Sequence, residues 1–387
     1  MARTFETELD ELKQQSLLRK LREIHSTMGT AITYGGRILV NFSSNDYLGL
    51  AGEPFLREAA KKAIDDYGLG AGASRLVCGT LAPHVELEEK LALFKGTEAA
   101  LSFSSGYATA VGTLGALAGK DDVIILDKLA HASLIDGARL SGANLRVFPH
   151  NDVTKLESHL EWARQTHPEA RVVVVTESIF SMDGDRAPLA EIVAAKDRHG
   201  ALLLLDEAHA VGVVGANGRG LAELLGLAGR VDIQMGTLSK AIGVSGGYIC
   251  GRRPLIDWLI NRARSFVYST AMPPAMAAAA LASIEFLSSP EGEARRRKLW
   301  ENLKVLAEGL PPGLTPEKLR SAIVPVMLGD EERALAASRM FFDRGFFVPA
   351  IRYPTVARGA ARLRLTLSAA HEPEEIQAVT EALWKLA

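Results

Sequence analysis

Four short runs of β-branched and aliphatic residues, DDVIILD, ARVVVVTES, GALLLLDEAH and VDIQMGTLSK, recur through the middle of the chain with helical patterns between them. A run that is apolar at nearly every position, instead of every second one, marks a strand covered on both faces. Intervening segments such as ASLIDGARLSG and LAEIVAAKDRHG have the length and periodicity of right-handed crossover helices. The pattern predicts an α/β protein built on a mostly parallel sheet, with GGYICGR a candidate for a further strand. Before this core, the chain reads as an amphipathic helix to about Ile24 and a short strand, RILVNF. A helix, FLREAAKKAIDDYG, and a glycine-rich loop, GLGAGASRLVCGT, follow. After Pro290 the texture changes to helices and strands of mixed order, which predicts a smaller α+β domain. A chain of 387 residues is long enough for two such cores.

Composition excludes several function classes. A formal net charge of −2 gives no global attraction to nucleic acid, so any anion recognition must be local. Two cysteines, Cys78 and Cys250, make neither a disulfide framework nor a C-x-x-C zinc pattern. The N-terminal stretch is charged throughout and has no apolar signal core, and AMAAAALASI falls short of the roughly 20 apolar residues a membrane span needs. A cytoplasmic protein is expected.

In open parallel sheets ligands bind beyond the carboxyl ends of the strands, and here those ends carry reactive groups. His131 follows VIILD; Glu177, Ser178 and Ser181 follow VVVVT; Asp206 and His209 follow ALLLL; Lys240 closes VDIQMGTLSK. Singly, each has an ordinary structural reading as a helix cap, a hydrogen-bonded core histidine or a solvated charge. Together on one rim they point to chemistry. ATP hydrolysis is excluded by the lack of a G-x-x-x-x-G-K-[ST] loop, since Gly119-Lys120 is followed by Asp121. Dinucleotide binding needs a strand before its glycine loop, whereas GLGAGAS follows a helix. A metal site from His131, Asp206 and His209 lacks any recognised ligand spacing, and none is expected.

Pyridoxal phosphate fits the parts. It needs a lysine for covalent attachment, a carboxylate beside the pyridine nitrogen and a nest of backbone N–H groups for its phosphate. Lys240 in GTLSKAIGVSGG supplies the amine, and burial with cationic neighbours should let it act as a base. Asp206 supplies the carboxylate. Ser105-Gly106-Tyr107, between LSFS and a helix, lets backbone approach a phosphate at a helix N-terminus.

From about Arg22 onward the chain resembles the α-oxoamine synthases, a branch of the fold-type-I pyridoxal-phosphate enzymes. SNDYLGL, GAGASRLVCGT, SSGYATA, DKLAHASLIDG, TESIFSMDGDRAPL, LDEAHAVGVVGANGRG and GTLSKAIGVSGGY appear in family order. The resemblance implies a large cofactor-binding domain over 46–285, a small α+β domain over 286–387 and an N-terminal helix and strand segment over 1–45. It implies that Lys240 anchors the cofactor, Asp206 pairs with the ring nitrogen, His209 hydrogen-bonds the phenolic oxygen with Ser181 nearby, and His131 stacks on the ring. Gly106, Tyr107 and Thr237 would bind the phosphate, joined by Ser269 and Thr270 from the second subunit of a homodimer. Arg22, Asn45, Arg352, Thr355 and Arg364 would surround the substrate. Independently, RLRLTLS alternates, placing Arg362, Arg364 and Thr366 on one strand face, where a guanidinium could grip a carboxylate or stay solvated at a sheet edge.

The C-terminal run AIRYPTVARGAARLRLTLSAAH resembles the branch of this family that condenses L-alanine with a pimeloyl thioester, carried by coenzyme A or a carrier protein, with loss of carbon dioxide on the way to biotin. The sister activities glycine C-acetyltransferase, 5-aminolevulinate synthase and serine palmitoyltransferase share the same catalytic residues and stay open. So does a protein that keeps the fold for binding or regulation without chemistry.

Overall fold

Seven strands form the central sheet, in the spatial order Ala99–Phe103, Gly247–Gly251, Ile233–Thr237, Leu202–Asp206, Val172–Glu177, Val123–Asp127 and Asn144–Phe148. The computed structural model describes residues 4–315 and 318–386; the first three residues of the expected N-terminal segment lie outside them. All strands of this sheet run parallel except Gly247–Gly251, which is antiparallel to both neighbours. The four apolar runs are four of its strands, and GGYICGR is the antiparallel one. Its direction follows from its connection: only residues 238–246 separate it from Thr237, too few for a crossover helix.

Alternate side chains face opposite layers. Leu101, Phe103, Ile124, Leu126, Val173, Val175, Leu204, Met235 and Ile249 join one apolar cluster with Leu114, Leu134 and Leu259 of the helices Gly106–Leu117, Ala132–Ser141 and Arg253–Arg262. The helices Val153–Thr166 and Leu189–Arg198 cover the other face. Burial of one such Leu or Val contributes about 1.5–3 kcal/mol, which is why the strands tolerate almost no polar residue before their ends. Two strands were not legible in the sequence. Ala99–Phe103 is built largely of small residues, and the edge strand Asn144–Phe148 carries an exposed Arg146.

This sheet belongs to a unit comprising Asp46–Ser181 and Asp185–Arg297. A second unit takes in the chain up to Asn45, Met182–Gly184 and the chain from Lys298 on. It holds two three-stranded sheets: Ala31–Tyr34, Arg37–Asn41 and Phe346–Phe347 in one, Ile323–Gly329, Ala361–Thr366 and Ala350–Ile351 in the other. The N-terminal helix stops at Gln14 instead of reaching Ile24. Ser16 adopts φ 56°, and Leu17 and Ser16 donate to the carbonyls of Leu12 and Lys13, a Schellman closure that ends the helix. Ala361–Thr366 is the middle strand of its sheet, so Arg362 and Arg364 are buried and not solvated at an edge.

Candidate active site

Lys240 rides on the hairpin loop between Thr237 and Gly247. Leu238 N–H donates to Gly246 C=O (2.9 Å), Val244 N–H to Leu238 C=O (2.9 Å) and Gly243 N–H to Lys240 C=O (2.8 Å). Gly243 and Gly246 take φ of 76° and 122°, angles that glycine reaches without strain. The Lys240 amine lies 2.8 Å from His209 Nε2, and His209 Nδ1 lies 2.6 Å from the hydroxyl of Tyr47. An ammonium only donates, so Nε2 accepts from Lys240, and Nδ1–H then donates to the Tyr47 oxygen. His209 and Tyr47 are both buried. Tyr47 sits inside the quoted SNDYLGL motif, yet nothing in the sequence tied it to a histidine 162 positions away.

Asp206 ends its strand in register with Glu177 on one side and Met235 on the other. Its carboxylate accepts the Ala208 N–H at 2.9 Å. Burial pushes Asp206 above the ordinary carboxylate range, against the pull of the Lys240 charge. Glu177 is pushed well above it, by burial first and then by Asp206. Glu177 Oε1 is buried without a hydrogen-bond partner.

Three strand ends stand in one row, Phe103 opposite Gly247 and Gly247 opposite Thr237. Two residues beyond Phe103, Ser105 caps the helix Gly106–Leu117, accepting the Ala108 N–H at 3.1 Å. The helix N-terminus therefore opens beside Thr237: a Cβ on Gly106 would stand 3.6 Å from Thr237 Oγ1. A Cβ on Gly247 would come within 2.5 Å of Thr109 Oγ1 and 2.8 Å of Gly106 Cα. The Tyr107 side chain turns away to donate to Asp136 at 2.7 Å, leaving its backbone at the helix start.

These residues fit pyridoxal phosphate. The start of the helix Gly106–Leu117 beside Thr237, packed closely on Gly247, is a cradle that offers backbone N–H groups and a helix dipole to an anion. Two adjacent buried carboxyls call for a cation, which a protonated ring nitrogen supplies, and the amine stands at a neighbouring strand end. Among the described residues, no group of three His, Cys, Asp or Glu side chains is arranged to hold a metal ion.

His131 caps the helix Ala132–Ser141, with Nδ1 2.8 Å from Ser133 Oγ and its ring open to solvent. Packing around the rest of the ring, together with the Lys240 charge, holds it below the usual imidazole value despite Asp206. Ser181 is half-buried in the turn after the Val172–Glu177 strand. Ser269 and Thr270 stand apart from this group. They line a small cavity with Arg75, Ser102 and Ser104 but with none of Lys240, His209 or Asp206, and Thr270 bridges to Ser74.

The remaining candidates lie in the second unit. Both terminal nitrogens of Arg364 donate to Asn45 Oδ1 at 3.2 Å, while Arg362 is taken by Asp183 at 2.6 Å. Arg22, Arg352 and Thr355 line a cavity of about 820 Å³ together with Lys13, Arg19 and Lys20, cations that no motif in the sequence singles out. Burial, and then the charges of Arg19 and Arg22, hold Arg352 below its ordinary value. Such a surplus of positive charge suits an anionic ligand.

Residues 37–383 match the model of the aminotransferase class I and II family. An 8-amino-7-oxononanoate synthase of Geobacter sulfurreducens is 45% identical over 100% of this chain and 98% of its own length. One from Anaeromyxobacter dehalogenans is 49% identical over 97% and 93%. Among solved structures, a serine palmitoyltransferase of S. paucimobilis with bound pyridoxal phosphate and myriocin superposes with a TM-score of 0.92 at 34% identity, covering 98% of this chain and 95% of that one. An 8-amino-7-oxononanoate synthase of Francisella tularensis does so with 0.74 at 28%, covering 90% and 97%. The chain belongs to the aminotransferase class I and II family and, within it, to the family of the 8-amino-7-oxononanoate synthases.

Proposed function

We infer that this chain catalyses the decarboxylative condensation of L-alanine with a pimeloyl thioester, giving 8-amino-7-oxononanoate, carbon dioxide and free thiol in biotin biosynthesis. Full-length identity of 45–49% to enzymes of that name supports the substrate. The observation that carries the chemistry is the Lys240 amine, 2.8 Å from His209 at a strand end neighbouring buried Asp206. When bound, pyridoxal phosphate supplies an aldehyde for the substrate amine and a protonated ring that draws in the electron pair left when a Cα proton departs.

The chain's own residues divide the remaining work. Asp206 holds the ring nitrogen's positive charge by an ion pair in a poorly hydrated place. Lys240 Nζ anchors the aldehyde and, once free, takes the proton from alanine Cα; His209 orients that nitrogen and Tyr47 fixes the imidazole. His131 orients the substrate, and Ser181 hydrogen-bonds beside the ring. Gly106, Tyr107 and Thr237 hold the phosphate. Arg22, Asn45, Arg352, Thr355 and Arg364 bind the substrate, where guanidinium groups match carboxylate oxygens. The new bond joins alanine Cα to the acyl carbonyl carbon and the thiol leaves; the alanine carboxyl departs as carbon dioxide, and a proton returned to Cα takes up the electron pair it leaves.

The working form is a cytoplasmic homodimer in which Ser269 and Thr270 serve the partner's phosphate, as the α-oxoamine synthase resemblance implies. Coenzyme A or a carrier protein brings the acyl group. The TM-score of 0.92 to serine palmitoyltransferase favours one second reading, a sister condensation on another amino acid. A product assay of L-alanine, glycine and L-serine against a panel of acyl thioesters decides: 8-amino-7-oxononanoate from alanine and the pimeloyl thioester is expected, and a preference for serine with a long acyl chain overturns the substrate assignment.

A further inference from the structure

His150 stands outside the chemistry above, yet it touches two of the segments that deliver it. Its Nδ1 lies 3.1 Å from Asp127 Oδ1 and its Nε2 lies 2.9 Å from Asp185 Oδ2. Both ring nitrogens face carboxylate oxygens, which as carboxylates only accept, and this pairing suits an imidazolium with hydrogen on each nitrogen; Asn151 Nδ2, 3.2 Å from Nε2, shares the Asp185 acceptor. The edge of Phe180 packs against the His150 ring, with ring centroids 4.3 Å apart. Burial opposes the charge, but the hydrogen bonds to the two carboxylates outweigh it and push the imidazole up to about 10.

Each carboxylate fixes a different loop. Asp127, fully buried at the end of its strand, accepts the Leu129 N–H at 2.8 Å and so shapes the turn that leads to His131. Asp185 closes the turn that contains Ser181, its carbonyl accepting the Phe180 N–H at 3.1 Å. Asn151, held at φ 58°, doubles the link: its backbone N–H reaches Asp127 Oδ2 and its side-chain amide reaches Asp185 Oδ2, each at 2.9 Å.

We propose that His150 is a positioning residue, an imidazolium that, beside Asn151, clamps the loop delivering His131 to the turn carrying Ser181, so that both side chains are placed together. This rests on the assignment of His131 and Ser181 to the active site. Charge-assisted bonds on both sides of one ring make the two loops move as one.

His150→Ala tests it by two independent readouts. In the cofactor-free chain, hydrogen exchange at the Leu129 and Phe180 amides should accelerate together by tenfold or more. In the loaded enzyme, kcat/KM for alanine should fall at least tenfold while the protein stays folded. Imidazole, which can donate on both sides, should restore both; 1-methylimidazole, of similar shape but with one donor blocked, should restore neither. The clamp is overturned if only one loop loosens, if the two additives act alike, or if exchange and kinetics match the wild type. Should His150→Ala not fold, His150→Phe, which keeps a ring of similar shape but no donor, should loosen both loops in the same way. Absence of wild-type turnover alongside the expected exchange pattern would count against the proposed reaction and not against the clamp.

Discussion

Lys95 and Glu207 meet as an ion pair 2.5 Å long, their side chains 2% and 0% exposed, one residue beyond Asp206. Lys95 also donates to the Arg219 carbonyl, and Glu207 Oε1 accepts the Ala222 N–H at 3.0 Å. The pair therefore ties the segment after the Asp206 strand to residues 219–222. Removing one partner strands a buried charge, which costs about 3–5 kcal/mol. Lys95→Met should lower stability by that order in urea unfolding, and Lys95→Met combined with Glu207→Leu should recover most of it. Equal losses in the single and double variants would show that the charge balance does not matter.

Lys240→Ala should abolish turnover while changing the unfolding midpoint little, because a half-buried side chain at a loop carries little of the core. Borohydride treatment of the loaded wild type followed by peptide mapping should place the trapped cofactor on Lys240; a label on any other lysine refutes the assignment. Asp206→Asn should depress turnover far more than cofactor content, since it removes charge but little volume.

Gly247→Ala probes the anion cradle. Its methyl group would enter space held by Thr109 Oγ1 and Gly106 Cα, so the helix start must shift. Such overpacking costs about 1–3 kcal/mol and should raise the cofactor dissociation constant by about tenfold or more, read by equilibrium dialysis. Unchanged cofactor affinity would remove the cradle from the phosphate site.

His371 sets part of the acid limit. Its ring is buried, stacks on Phe42 with centroids 4.2 Å apart, accepts the Ser368 N–H at Nδ1 and donates from Nε2 to the Asn41 carbonyl at 3.1 Å. Burial depresses its pKa to about 4. A depressed folded value favours the neutral ring, so its contribution is full above the unfolded value near 6.5 and is lost as pH falls through the folded value. The loss amounts to roughly 3 kcal/mol over that window. His371→Phe should flatten the decline of stability between about pH 6.5 and 4.

A shared site predicts complementation. Lys240→Ala and the Ser269→Ala/Thr270→Ala variant, each inactive alone, should regain part of the activity after subunit exchange. Losing the two hydroxyls should weaken cofactor binding, each charge-assisted bond being worth about 1.5–3 kcal/mol. Verified exchange without recovered activity would assign the Ser269 loop to its own chain.

The strand ends were legible because buried parallel strands demand unbroken apolar runs, so that a polar residue there marks the rim of the sheet. That rule singles out His131, Glu177, Ser178, Ser181, Asp206, His209 and Lys240 as candidates. What could not be read were pairings made by distant segments. Asp183 claims Arg362 across 179 positions, and Tyr47 meets His209 across 162, with no local pattern to announce either. The strand Ala99–Phe103 lacks a strong apolar signature because three of its five side chains are small. His150 carried no signal at all, since its role comes from two carboxylates on other segments.

The one antiparallel strand of the seven-stranded sheet also bears on how such a chain can change over time. Lys240 and the Thr237–Gly247 row share one closed hairpin of nine loop residues, so amine and anion cradle are spaced by a single rigid piece. Inserting one residue there would shift the amine against the cradle by up to about 3.5 Å, far outside bonding tolerance. Length variation is thus barred from the hairpin, and selection for new acyl or amino-acid partners must act through point substitutions or through other loops. The hairpin works as a fixed ruler, against which the rest of the protein is free to diversify.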